Sequence, residues 1–356
     1  KYLINDDGSL GDRNDLRCVS LEHKLGIHGS PTCVMQYGDE GGAVGYLLGE
    51  EHQGMRCMFT MMNNARLGVG LEGLGIAERA YQQALAYAHE RTQGRALGAE
   101  PGTESPIIDH PDVQRMLLDM KSTIAAMRGL CYRNAAALDH SREAADPDAR
   151  QASDELAALL TPLSKSWCTD MGVELTSIAL QVHGGMGFIE ETGAAQHFRD
   201  ARIAPIYEGT NGIQAIDLAG RKLGLRQGGV VRDHLATIAA TVDALRDVGD
   251  LAPVRVHLAA ALAATTEATD HLLARSAEDP ADMLAGAMAY LDMMAITTAG
   301  EGLAAGALSA REASDTGADD AALLARFFAT NRLATVPARL AAVTAGAGDL
   351  TAARTS

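Results

Sequence analysis

Between two long apolar helical patterns lies a short polar stretch, Ile206-Tyr-Glu-Gly-Thr-Asn-Gly-Ile-Gln214, with a lone carboxylate, Glu208, between an aromatic residue and a glycine. Gly209 and Gly212 can take backbone angles closed to other residues. Thr210 and Asn211 offer a hydroxyl and an amide to a polar ligand. A carboxylate held beside apolar surface can act as a proton acceptor. The same residues also fit a plainer role, in which Thr210 or Asn211 caps a helix running through Ile213, Ile216 and Leu218. The residues alone leave both roles open.

A second candidate is Gln181-Val-His-Gly-Gly-Met-Gly-Phe188. Its glycines would let backbone amides approach a phosphate or another subunit, although a Gly-rich helix C-terminus is the commoner meaning. His183 fits a base or a ligand, but more simply a surface histidine near a helix end. No HExxH, paired-cysteine or clustered-carboxylate motif suggests a metal site. Neither GxSxG nor a P-loop occurs, and Asp109-His-Pro-Asp112 reads as a helix start.

The elements that must position these residues follow from composition and period. A chain of 356 residues, 47% hydrophobic but only 4% aromatic, suits two or three domains of closely packed helices. A net charge of -16 argues against nucleic acid and against an anionic membrane surface as partners. Cys18, Cys33, Cys57, Cys131 and Cys168 form no CxxC pair and read as free buried thiols in a reducing cytoplasm. No apolar run approaches the roughly 18 residues of a membrane span, and no signal peptide is visible. The opening Lys1-Tyr-Leu-Ile reads as a strand already under way, which suggests a fragment of a longer protein.

Residues 1–52 are predicted as β structure, with strands at Val19 to Leu25, Thr32 to Tyr37 and Ala43 to Leu48. Such short strands need partners to be stable. From Gly54 the period becomes helical, with Met58, Met61, Met62, Leu67, Leu71, Leu74 and Ile76 on one face. Gly68, Gly70, Gly73 and Gly75 would each weaken an isolated helix, so another helix or a ligand approaches there. Further helices are predicted from about Asp112 to Asp139 and from Asp148 to His183, making a four-helix bundle over 53–225. Residues 230–356 hold 9 Arg, no Lys and 16 Asp or Glu, and patterns at 232–248, 254–276, 280–310 and 318–346 read as an additional Ala-rich helical domain. The fold class is therefore mainly α, with a remnant of a β domain in front.

The order of motifs resembles the C-terminal part of an acyl-CoA dehydrogenase, a flavoprotein family. Gly26-x-x-Gly-Ser-x-Thr32 and Leu48-Gly-Glu-Glu51 look like the end of the family's middle β domain. Arg66 and Glu90-Arg91 match its first long helix. Gln181-x-x-Gly-Gly-x-Gly187, Phe198-Arg-Asp-Ala-Arg202 and Tyr207-Glu-Gly-Thr210 complete the series. With the Ala-rich domain, the chain is most similar to the long members, such as the 3-methylmercaptopropionyl-CoA dehydrogenases. The resemblance implies FAD-dependent α,β-dehydrogenation of an acyl-CoA thioester to a trans-2-enoyl-CoA. Glu208 would remove the α-proton, with Arg66 and Tyr207 beside it. Some members carry the base one residue before the arginine; that position is Ala65, which cannot take a proton. The resemblance also implies FAD contacts from Arg91, Gln181, Gly184, Gly185, Thr210 and Gln214, several of them reaching a neighbouring subunit. It further implies a homodimer or homotetramer, with electron-transfer flavoprotein as the electron acceptor.

Departures touch the flavin contacts. Arg91-Thr-Gln-Gly94 lacks the aromatic usual after the arginine, and Pro111 stands where a glutamine is usual. The family's N-terminal helical domain and flavin-binding strands have no counterpart in these residues, so the 356-residue chain alone is expected to hold FAD weakly and to be inactive. A relative that keeps the fold as a binding or scaffold protein is the rival; a DNA-binding form of it would need a basic face, which the acidic Ala-rich domain lacks.

Overall fold

The computed structural model describes residues 1–353 and, within them, all side chains but those of Phe59, Thr60 and Asn63. The last three residues of the predicted 230–356 domain lie outside the described residues. The chain divides into two compact units, 1–62 and 63–356.

The first unit holds two antiparallel ribbons: β1 (Tyr2–Ile4) with β2 (Leu10–Arg13), and β3 (Leu16–Leu21) with β4 (Cys33–Tyr37). The register of the second pairs Leu16 with Tyr37 and Leu21 with Cys33. The predicted strand at 43–48 does not form. Its Val44 spends its N–H and carbonyl on the Asn14 side chain, at 2.9 Å each, instead of on a ladder. β2 was not expected, since Leu-Gly-Asp-Arg carries no β-branched residue. Leu21, Tyr37 and Tyr46 are exposed.

Three long helices carry the second unit: α1 (Gly54–Glu90), α2 (Pro111–Glu143) and α3 (Pro147–His183). Pro111 and Pro147 sit in the first turn, where a missing N–H costs nothing. Two of the glycines predicted to admit a close neighbour do so. A Cβ on Gly70 would stand 2.7 Å from the Ser164 carbonyl oxygen, and one on Gly73 would stand 2.6 Å from that of Cys168. The backbones of α1 and α3 therefore touch, which brings Arg66 and Glu72 of one helix over Lys165 to Asp170 of the other. After α3 come α4 (Ala194–Ala201) and α5 (Asn211–Asp217), the latter running on through a π-turn to Lys222 as the short fourth member of the bundle.

Residues 229–353 form α6 (Gly229–Ala244), α7 (Ala252–Glu278), α8 (Pro280–Ala285), α9 (Ala287–Glu312), α10 (Ala318–Asn331), α11 (Leu340–Thr344) and α12 (Gly348–Ala353). Two predicted helices are broken. The run 280–310 bends at Gly286, where the Val343 backbone leaves no room for a Cβ. The run 318–346 stops at Asn331, ahead of Pro337, which has no N–H to continue it.

One apolar cluster runs through the bundle and the C-terminal helices together. Trp167 of α3 meets Phe328 of α10 edge-on, ring centroids 6.3 Å apart. Arg332 ties the end of α10 to Asp119 of α2 at 2.8 Å and to Glu174 of α3 at 2.7 Å. The cysteines depart from expectation: Cys131 and Cys168 are buried, but Cys18, Cys33 and Cys57 are exposed, and all five are free. Among the described residues no helix is long and apolar enough to cross a membrane.

Candidate active site

The segment between α4 and α5 cannot continue as helix past Pro205. It closes instead through the Asn211 N–H, which donates to the Pro205 carbonyl at 3.0 Å. Glu208 and Gly209 are both left-handed, with φ of 57° and 79°. For a glutamate this conformation costs roughly 1–2 kcal/mol, so its surroundings must impose it. Gln214 does so in part: its fully buried amide donates to the carbonyls of Glu208 and Gly209 at 3.3 and 3.2 Å. Thr210 caps α5, its Oγ1 accepting from the Ile213 N–H at 3.2 Å. The capping role read from sequence therefore coexists with the half-buried turn that carries the carboxylate. Asn211 differs from expectation. It does not face a ligand but is buried, donating to the Ser166 carbonyl and Thr169 Oγ1 at 3.1 Å each and accepting from Lys165 Nζ at 2.9 Å.

Charge gathers around this turn. Glu208 Oε2 is buried and accepts no hydrogen bond among the described residues. Arg66 is buried beneath the turn; its Nη2 lies 3.7 Å from where a Cβ on Gly209 would be, and its Nη1 stands 3.6 Å from Asp217 Oδ2. Arg66 thus makes a structural ion pair with Asp217, and the same guanidinium lies under the Glu208 loop. Tyr207 donates its hydroxyl to Glu72 of α1, and burial together with that bond pushes the phenol's pKa up. Burial pulls the Lys165 ammonium down to about 8, Arg66 adding to the effect while Asp170, Glu208 and Glu72 oppose it. Asp170 is pushed up by burial.

A second site lies at the other end of α1 and α3. Arg91 and Gly184 line one cavity of about 370 Å³, with Tyr87, Val182, His183 and His110. Gly184 turns the chain out of α3 at φ 60°, its N–H donating to the Gln181 carbonyl, and a Cβ on Gly184 or Gly185 would meet nothing within 4 Å, so open space lies beside both. Gln181 and Gly185 are exposed beside the cavity without lining it. His183 is not the surface residue expected. It is buried, stacked on Tyr87 with ring centroids 4.6 Å apart, and its Nδ1 bonds the Ala179 carbonyl oxygen at 2.7 Å. A separate cavity of about 310 Å³ between α3 and the C-terminal helices holds Arg332 and Arg339, but these already face Asp119, Glu174 and Asp292.

Two family models match this chain. "Acyl-CoA dehydrogenase, C-terminal domain" matches residues 52–223, and "Acetyl-CoA dehydrogenase C-terminal like" matches residues 234–354. The chain belongs to the acyl-CoA dehydrogenase family. It is 45% identical over 321 residues to the 3-methylmercaptopropionyl-CoA dehydrogenase of Ruegeria pomeroyi, covering 90% of this chain and 54% of that protein. A butyryl-CoA dehydrogenase of Syntrophomonas wolfei is 40% identical over 243 residues, 67% of this chain and 40% of that one. The fold matches the acyl-CoA dehydrogenase of Bacillus anthracis, solved with FAD, with a TM-score of 0.76 at 20% identity, covering 98% of this chain and 62% of that chain. The chain thus spans about half the length of the curated relatives it matches.

Sequence reasoning passed over Lys165, Glu72 and Asp217. Lys165 had a signal, a lone lysine on the apolar face of the third helical pattern between Leu163 and Trp167. Glu72 had a weaker one, a charge among the glycines of the close-approach face.

Proposed function

We propose that the protein is an FAD-dependent acyl-CoA dehydrogenase in which Glu208 takes the α-proton of an acyl-CoA thioester. The observation that carries this reading is Glu208 Oε2, a buried carboxylate oxygen with no partner among the described residues, on a turn whose strain the surroundings maintain. Buried acceptors are almost always satisfied, and an orphan at a strained residue marks a functional position. The Glu208 N–H also donates to nothing among the described residues, which leaves it free for the thioester carbonyl oxygen as the α-carbon gains charge. Ala65 offers no competing base, and the buried Arg66 supplies positive potential beneath the turn. Bound FAD would supply the acceptor for the β-hydrogen, which leaves as hydride and gives the trans-2-enoyl-CoA.

The residues present fit that cofactor. Arg91 makes no ion pair among the described residues and lines one cavity with Gly184, where the missing side chain leaves room for a phosphate to approach the guanidinium. Gln181, Gly184, Gly185 and Thr210 are proposed as further contacts, some of them serving a neighbouring subunit, whereas Gln214, fully buried, acts through the turn it holds. A homodimer or homotetramer, visible by light scattering, belongs to the reading, as does reoxidation by electron-transfer flavoprotein. The test is anaerobic titration of the full-length flavoprotein with straight-chain acyl-CoAs and 3-methylmercaptopropionyl-CoA. Bleaching of the flavin by at least one of them is the expected result, and an unchanged spectrum across the panel contradicts the proposal.

A further inference from the structure

Lys165 lies in the middle of α3, fully buried, and neither the capping of α5 nor the proton transfer uses it directly. Its ammonium donates to Asn211 Oδ1 at 2.9 Å. Asn211 is the first residue of α5, so this bond grips the point where the Glu208 turn becomes helix. The other end of the same carboxamide donates to the Ser166 carbonyl and to Thr169 Oγ1, so α3 fixes its orientation at both ends. One turn further on, Gln214 holds the carbonyls of Glu208 and Gly209. The first turn of α5 therefore joins the Lys165 ammonium, bound at Asn211, to the backbone of Glu208, held at Gln214.

We propose that Lys165 is a positioning residue for Glu208: through Asn211 it anchors the start of α5 and thereby the left-handed turn that presents the carboxylate. Its catalytic consequence rests on Glu208 being the base, whereas the anchoring does not.

A purely structural role would not call for a charge here. With its pKa lowered by burial to about 8, the group contributes stability only above its unfolded value of 10.5, and loses it as pH falls through 8. At pH 7 the buried ammonium is thus a net burden on folding. Methionine would fill similar space without that cost. The groups that face Lys165 are Asp170 of its own helix, Arg66 and Glu72 of α1, and Glu208, so the charge sits among the residues of the candidate site.

The test is backbone hydrogen exchange in the full-length flavoprotein carrying Lys165→Met, Asn211→Ala, or both. Residues 206–212 are expected to exchange about tenfold faster in Lys165→Met, the loss of one charge-assisted bond, while α2 keeps its wild-type rates. Asn211→Ala, which also removes the bonds to Ser166 and Thr169, should raise exchange at least as much, and the double variant should add little to Asn211→Ala, since the Lys165 bond is already lost there. Should Lys165→Met fail to fold, Lys165→Gln, uncharged but polar, decides in its place. Unchanged exchange at 206–212, or a uniform rise across the bundle, overturns the proposal. With butyryl-CoA as probe, Lys165→Met should lower the limiting rate of flavin reduction while KM stays within about twofold. Faster exchange with an unchanged reduction rate also overturns it. Glu208→Gln is the control: normal reduction in that variant removes the base assignment but leaves the exchange result to decide on Lys165.

Discussion

Replacing Gly73 by alanine tests the contact on which the site's geometry depends. In an isolated helix this change stabilises by roughly 0.5–1 kcal/mol, because alanine has less backbone freedom to lose. Here the new Cβ would stand 2.6 Å from the Cys168 carbonyl oxygen and 2.9 Å from Thr169 Cα, whereas ordinary contact begins at 3.4 Å. The first contact falls 0.8 Å short, and both opposing atoms are backbone, so no side chain can swing aside. Forcing atoms into a filled interior costs typically 1–3 kcal/mol, and rigid helix backbone places this case at the upper end. After the propensity gain, a net loss of about 2 kcal/mol remains, or roughly 4 °C in Tm for a unit of this size. Gly75, one half-turn on, provides the control, since a Cβ there meets nothing within 4 Å. Gly75→Ala should be neutral or slightly stabilising. Thermal unfolding of the two variants side by side is the assay. Gly73→Ala as stable as Gly75→Ala would refute the close approach of α1 and α3.

His234 is buried in α6 with Nε2 bonded to Thr298 Oγ1 at 2.9 Å, and burial, helped by Arg133, pulls its pKa from 6.5 to about 3. The folded state keeps it neutral while the unfolded chain takes up a proton, so its contribution is full above pH 6.5 and is lost as pH falls towards 3. The unfolding free energy should fall below pH 6.5 by up to about 1.4 kcal/mol per pH unit in denaturant titrations, and His234→Gln should flatten that slope; an unaltered slope contradicts the assignment. Thr210→Ala removes the cap of α5 and should cost about 1 kcal/mol in denaturant unfolding, with Thr210→Ser near wild type; equal loss in both variants would deny the cap.

The long helices were legible because their buried faces impose a 3.6-residue period over many turns, as in α1, α2 and α3. What escaped notice depends on residues far away in the chain. Gly73 and Gly75 look alike in sequence, and only the path of α3 separates them. The break at Gly286 is set by the Val343 backbone, and the burial of His183 by Tyr87. Asn211 looked like a ligand-facing amide because its partners, Lys165, Ser166 and Thr169, precede it by 42 to 46 residues. At 43–48 apolar residues promised a strand, but the Asn14 side chain took the hydrogen bonds a ladder would have used. Glu208 itself was legible as chemistry, while its left-handed backbone and unpartnered oxygen became visible only in three dimensions.

The central claim is that Glu208 is the base. Glu208→Gln keeps the shape of the side chain and removes its capacity to take a proton. Rapid-mixing measurement of flavin reduction by acyl-CoA, in full-length wild-type and Glu208→Gln protein with equal flavin content, tests it most directly. The expected result is a fall in the reduction rate on the order of 10³-fold or more, since Ala65 offers no replacement base. Reduction at a near-normal rate in Glu208→Gln would contradict the claim.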